Sequence, residues 1–206
     1  MRTIMPKLFK LHLKDPFNMY IIFGKRWLDV SLSFIAIILL SPIFLITGLL
    51  IKIFDPGPVI FCQQRIGLCG SSFEFYKFRS MPLNTGDVPS DKIGQVQLTW
   101  IGRFIRRSNI DELPQLFNIL KGDMSIVGPR PPLGSQTELI ELRQKNGSIR
   151  CRPGLTGLAQ VSSYNGMKVS EKAEFDAQYA NSISFEKDIF IILKTFSYLM
   201  KPPPVY

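Results

Sequence analysis

Residues 30–51 read VSLSFIAIILLSPIFLITGLLI, a run of 22 residues without a single charge. A helix needs about 20 apolar residues to cross the hydrocarbon core of a bilayer, so this run is long enough to do so. A cleaved secretory signal fits poorly. The run begins some distance into the chain, exceeds a signal's apolar region and ends in Lys52 rather than at a small-residue cleavage site. Ser41-Pro42 interrupts the run at its middle, and Gly48 comes after it. Proline removes one backbone donor and crowds the preceding turn. In hydrocarbon that is tolerated when a nearby hydroxyl, such as that of Ser41, satisfies the freed carbonyl. Two membrane geometries are open: a kinked helix that spans, or a helix–break–helix that dips in and returns to the face it entered. Six Lys/Arg precede the run (Arg2, Lys7, Lys10, Lys14, Lys25, Arg26) and 19 come after it. Positive segments stay cytoplasmic, so the charge on both flanks leans towards the second geometry. A helix buried in a soluble core is the third reading.

The 206 residues are enough for one domain with a real core. Hydrophobic residues make up 46% and charged ones 20%, which argues against general disorder. The net charge of +9 asks for anionic partners: phosphates, nucleic acid or acidic lipid. Cys62, Cys69 and Cys151 are scattered and odd in number, the pattern of reduced thiols rather than a disulfide framework. With His12 as the sole histidine and the cysteines scattered, the pattern argues against a His/Cys zinc centre, and any metal would be a hard cation on carboxylates or phosphate.

Around the apolar run the chain divides into an N-terminal basic amphipathic extension (1–24), the membrane helix (25–54), a globular domain (55–200) and a Pro-rich tail (201–206). The extension mixes Leu8, Phe9, Leu11, Leu13, Phe17 and Tyr20 with Lys7, Lys10 and Lys14, and it either lies in the membrane interface or is a loosely packed terminus. Turn signals and periodicity predict strands at 59–63 and 72–78, joined by a turn at Gly67–Gly70. A polar loop occupies 82–97. Helices are predicted over 98–107, from about Asp111 to Leu120, and over 137–145 and 171–181, with a short strand near 158–161. Residues 184–200 form an apolar-rich helix that is either core or interfacial. The fold class is α+β, mostly helical: an N-terminal membrane helix plus a small globular domain with short strands and interfacial helices.

The chemistry concentrates at Asn109-Ile110-Asp111-Glu112-Leu113-Pro114-Gln115. Pro114 marks a helix start, and Leu113, Leu116, Phe117 and Leu120 supply its buried face. Asp111 and Glu112 then stand in the first turn, with Ser108 or Asn109 as cap. Acidic residues are common there because the helix dipole favours them. Here the dipole and nearby arginines would also keep Asp111 ionised, as a carboxylate nucleophile requires. Adjacent side chains on a helix diverge by about 100°, so the two carboxylates can serve different groups. The cationic frame is Lys77, Arg79, Arg106, Arg130 and Arg152, with Arg130 set rigidly between Pro129 and Pro131. Arginine suits phosphate oxygens. Neither a Walker-type loop nor G-x-G-x-x-G is present.

Lys25-Arg26-Trp27-Leu28-Asp29, Ser41-Pro42, Gln64-Arg65-Ile66-Gly67, Tyr76-Lys77-Phe78-Arg79-Ser80-Met81, Asp111-Glu112-Leu113-Pro114-Gln115, Lys121-Gly122-Asp123-Met124-Ser125, Gly128-Pro129-Arg130-Pro131 and Arg152-Pro153-Gly154-Leu155-Thr156-Gly157 occur in that order. From about Lys25 to Thr195 the chain resembles the bacterial monotopic polyprenol-phosphate phosphoglycosyl transferases of the small PglC type. The resemblance implies a re-entrant helix bent at Ser41-Pro42 in the bacterial inner membrane, with the catalytic domain on its cytosolic face. It implies transfer of a sugar phosphate from a UDP-sugar to undecaprenyl phosphate with release of UMP. It further implies Asp111 as nucleophile and metal ligand, a covalent phosphosugar intermediate, assistance from Glu112, and Mg²⁺. Membrane lipid is then a partner, nucleic acid is not, and a homodimer is compatible with the pattern. Leu158 stands where many relatives carry Trp, and Ser162-Ser163-Tyr164 departs from the usual Asn-Gly, so the sugar is not assigned. The rival readings are a membrane-anchored anion-binding module and a phosphotransferase that uses another nucleotide donor.

Overall fold

The computed structural model describes residues 19–82, 98–162 and 166–199. The extension as far as residue 18, most of the 82–97 loop and the 201–206 tail lie outside the described residues. A single π-turn, Tyr20–Gly24, leads into α1 (Lys25–Phe54). The strands β1 (Ile60–Ile66) and β2 (Ser72–Phe78) form an antiparallel hairpin around a 3₁₀ turn, Leu68–Gly70. Then come α2 (Trp100–Arg107), a 3₁₀ turn Ile110–Glu112, α3 (Gln115–Lys121) and β3 (Ser125–Val127). The chain continues through α4 (Thr137–Asn146), β4 (Gly154–Thr156), α5 (Leu158–Ser162), α6 (Val169–Ala180) and α7 (Phe185–Leu199). The described residues are mostly helical with short strands, as the sequence pattern predicts, and the strands form two two-stranded sheets.

α1 is one continuous helix with Pro42 inside it, so the helix–break–helix expected at Ser41-Pro42 is not seen as a break in the helix. The carbonyl that Pro42 leaves without a partner is that of Ile38. The Ser41 hydroxyl donates to it at 2.8 Å, the compensation expected for a proline in hydrocarbon. The helix is inside out by soluble standards. Its buried residues are Asp29, Ser33, Thr47 and Ile51, three of the four polar, while Ile35, Ile38, Leu39, Leu45, Ile46, Leu49 and Ile53 point outward. Only 11% of its most apolar stretch is buried, unlike the mostly buried core helix of a soluble protein.

The inward face of α1 is fastened along its whole length. Arg26 donates to the carbonyls of Ile119 (2.6 Å) and Leu120 (2.9 Å), the last turn of α3, where unpaired carbonyls attract cations. Asp29 accepts from the Ser125 hydroxyl (3.0 Å) and the Ile126 N–H (2.9 Å), tying α1 to β3. Ala36, Ile37 and Phe44 pack on a core of Phe73, Phe75, Leu116, Ile119 and Met124. Ile51 closes a second cluster with Phe78, Ile101 and Ile105.

β3 and β4 pair in parallel, with Ser125 opposite Gly154 and Val127 opposite Thr156. Gly154 has no alternative here, because a Cβ on it would strike the Gly128 amide nitrogen. The strand expected near 158–161 is instead the helix α5, and the strand lies just before it. A short apolar run does not declare its period. Here Leu158 and Val161, three residues apart, both pack against the cluster of Val127, Tyr179 and Ile191, and Val161 N–H bonds the Gly157 carbonyl. α7 buries Asp188 and Ile191 but leaves Phe185, Phe190, Leu193, Phe196 and Leu199 exposed. Asp188 accepts from Tyr20 (2.6 Å), Lys25 (2.6 Å) and Tyr179 (2.7 Å), locking the start of α1 to α6 and α7.

Candidate active site

Asp111 and Glu112 occupy a 3₁₀ turn between two helices, not the first turn of an α-helix. Ser108 does not cap that turn. Its hydroxyl donates backwards to the Phe104 and Ile105 carbonyls and ends α2. Asn109 takes the left-handed conformation (φ 55°) that reverses the chain, and its side chain makes no cap. α3 itself starts only at Gln115 and has seven residues, too short for its dipole to be the main influence on the pair.

Lys77 is that influence. Its ammonium lies 3.3 Å from Asp111 Oδ2 and 3.0 Å from Glu112 Oε1, so one cation bridges both carboxylates. Arg130 faces Glu112 with Nη2 at 2.6 Å from Oε1 and Nη1 at 3.5 Å from Oε2. Lys77 reaches the pair because Asn118, fully buried on α3, grips β2. Asn118 accepts from the Tyr76 N–H (3.0 Å) and donates to the Glu74 carbonyl (2.6 Å). Sequence reasoning misses that clamp, whose only sign is an amide within an apolar helix.

The charges compete. Burial pushes the Asp111 carboxyl above the usual carboxylate range. Lys77 pulls it down, Glu112 pushes it up and Arg106 pulls it down, and the net direction is upward. Burial also pushes Glu112 up, but Arg130 and Lys77 outweigh it and hold that carboxyl well below the usual range. The dipole-and-arginine account of an ionised Asp111 therefore needs revision, since the neighbouring ammonium opposes a burial penalty that still prevails. A carboxylate poorly solvated by water is also a better nucleophile than one in bulk. Replacing Lys77 with Met removes the largest downward pull, so the acid limb of the pH–rate profile should move to higher pH. An unchanged limb in that variant would show that Asp111 does not govern it.

Two cations expected in the frame stand elsewhere. Arg79 is buried against Asp55, with Nη2 3.3 Å from its carboxylate and a hydrogen bond to its carbonyl. β2 ends at Phe78, so the alternation that puts Lys77 beside the pair does not extend to Arg79. Gly57 leaves the room, since a Cβ there would hit the guanidinium. Arg152 donates to the Gly122 carbonyl (3.1 Å), at the end of α3 opposite the carboxylates. Lys77, Arg106 and Arg130 are the members that act on the pair.

Mg²⁺ keeps several waters and takes one or two carboxylates plus substrate phosphates. No cluster of three or more His, Cys, Asp or Glu exists among the described residues, so a caged ion has no site. The carboxylate pair fits a partly hydrated ion shared with a phosphate. Lys77 binds only Oδ2 of Asp111, leaving Oδ1 without a donor among the described residues. Asp111, with Glu112 beside it, would hold the ion, which would supply neutralisation of phosphate charge.

Residues 20–202 match the family model described as bacterial sugar transferase. The chain belongs to that family. A UDP-N-acetylgalactosamine-undecaprenyl-phosphate N-acetylgalactosaminephosphotransferase of Aeromonas hydrophila is 39% identical over 84% of this chain and 43% of its own length. A UDP-glucose:undecaprenyl-phosphate glucose-1-phosphate transferase of Caulobacter vibrioides is 37% identical over 88% of this chain and 72% of its own. The exopolysaccharide production protein ExoY of Rhizobium meliloti is 36% identical over 84% of this chain and 83% of its own. This sugar transferase chain thus spans under half of the Aeromonas relative and most of ExoY.

Proposed function

We propose that the chain moves a sugar 1-phosphate from a UDP-sugar to undecaprenyl phosphate, giving a polyprenyl-diphosphate sugar and UMP. The observation that carries this reading is a buried, poorly solvated Asp111 held by Lys77 beside a Glu112 already paired with Arg130. The names of the Aeromonas and Caulobacter relatives supply the substrate classes.

Asp111 attacks the phosphorus that bears the sugar. A new P–O bond forms to the carboxylate, the P–O bond to UMP breaks, and UMP leaves with the electron pair. Arg130 and Lys77 stabilise the charge that builds on the phosphoryl oxygens. The acyl phosphate is then attacked by an oxygen of the lipid phosphate, which frees the carboxylate. Each step exchanges one P–O bond for another, and this chain contributes the carboxylate, two cations and a lipid-accessible site.

α1 is proposed to enter and leave on the cytosolic side of the inner membrane. Its inward face touches the globular part from Arg26 to Ile51, about 38 Å of helix at 1.5 Å per residue. A helix running straight across the bilayer would drag that contact surface through the hydrocarbon. Exposed Trp100, Phe104, Phe185, Phe190 and Phe196 provide further apolar surface for the interface. The native exposed Cys69 and a cysteine introduced at Met19 should both react with an impermeant thiol reagent only from the cytosolic side; labelling from opposite sides would sink the re-entrant geometry.

The functional test is a panel of nucleotide sugars with undecaprenyl phosphate, read by release of nucleoside monophosphate. UMP from UDP-sugars alone supports the reading. A different monophosphate, or none, rejects it.

A further inference from the structure

The loop that presents Arg130 has little to hold it by. Pro129 and Pro131 have no N–H, and Arg130, preceding a proline, is restricted to extended backbone. Its anchorage lies in four successive carbonyls, each of which accepts one hydrogen bond. Pro129 O accepts from Gly154 N–H (2.9 Å) and Pro132 O from Ile66 N–H (3.0 Å). Pro131 O accepts from Arg65 Nη1 (3.3 Å), and Arg130 O accepts from Arg143 Nη1 (2.9 Å).

The last bond is unusual in what it costs to make. Arg143, on α4, is 2% exposed, and so is Asp176, on α6. Arg143 donates from Nε to Asp176 Oδ2 at 2.8 Å, while its Nη2, 2.6 Å from the same oxygen, adds charge without making a hydrogen bond among the described residues. As a fastening between two helices, a buried ion pair is a poor choice, since well-packed apolar residues of similar volume usually do as well or better. What apolar residues cannot do is donate to a carbonyl. The pair delivers a fixed N–H to the main chain of Arg130, whose side chain then reaches Glu112 at 2.6 Å.

We infer that Arg143, held by Asp176, is a positioning residue: it sets the backbone of Arg130 and, through the Arg130 fork on Glu112, the geometry of the carboxylate pair. The inference rests on the proposed phosphoglycosyl transfer, in which Arg130 stabilises the transferring phosphoryl group. A misplacement of about 1 Å of such a group costs up to about 100-fold in rate.

The test is a mutant cycle on kcat/KM for UMP release, with thermal unfolding measured alongside. The double substitution Arg143→Met/Asp176→Leu keeps the net charge and a similar volume, so the domain should still unfold cooperatively near the wild-type temperature. Activity should drop about 10- to 100-fold. In an Arg130→Ala background the same double substitution should cost less than about twofold, because the group it positions is gone. Should the double variant fail to fold, Arg143→Lys with Asp176 retained runs the same cycle, since lysine keeps the charge but loses the planar fork that aims one nitrogen at the carboxylate and another at the carbonyl. Loss by the same factor with and without the Arg130 side chain, or no loss in either, overturns the inference and leaves the proposed function standing. Wild-type protein that releases no UMP from any UDP-sugar overturns the proposed function and this inference with it.

Discussion

Asp111→Asn should lower turnover by about 10³-fold or more while the protein still folds. The substitution removes the attacking oxygen's charge with almost no change in volume. Burial disfavours an ionised Asp111, so a neutral amide at that position relieves a penalty rather than creating one. Lys77 stays paired through Glu112 at 3.0 Å, so no cation is stranded. The second readout is enzyme mixed with UDP-sugar and no lipid. Wild type should release one UMP per active site and carry a phosphosugar on the peptide containing Asp111; Asp111→Asn should do neither. UMP that appears only after lipid is added, with no adduct on that peptide, would favour direct transfer in a ternary complex.

Glu112→Gln should cost about 10²-fold, and its pH signature separates it from a merely structural lesion. Glu112 carries two cations, so the substitution removes the carboxylate charge that faces Arg130 at 2.6 Å and lets Lys77 turn wholly to Asp111. The negative charge of Glu112 pushes the Asp111 carboxyl up, and its removal lets that carboxyl fall. The acid limb of kcat/KM should therefore move to lower pH, the opposite of the shift expected for Lys77→Met. The two variants moving the limb in the same direction would break the electrostatic account of the pair.

The hairpin, the helix after Pro114 and the outward apolar face of α1 are legible in the sequence because each announces a period or a turn that tertiary contacts do not override. The 158–161 segment is not, because four residues cannot separate a period of two from one of 3.6. Lys77, Arg106 and Arg130 stand out in the sequence as cations near a carboxylate pair, and all three act on it. Arg79 stands out by the same rule and serves the turn after α1 instead, since nothing local in the sequence shows that Asp55 will fold against it. Asn118, Arg143 and Asp176 cannot be read at all. Their role lies in contacts between residues 13 to 44 apart, and nothing local in the sequence marks which polar residue will be buried. The source of the Asp111 charge balance is hidden for the same reason, since burial is a property of the assembled domain.

The fastening of α1 means that this helix cannot be detached. Its inward side covers Phe73, Phe75, Leu116 and Ile119, and Arg26 and Asp29 saturate backbone groups of α3 and β3. Cutting after Phe54 would uncover aromatic surface and leave those main-chain groups to water, so the fragment 55–206 should aggregate rather than yield a free catalytic unit. For a tethered enzyme the leash can be lengthened or exchanged at will. Here the leash is one wall of the house, and the height of the carboxylate pair above α1 is fixed by the same packing that lets the domain fold.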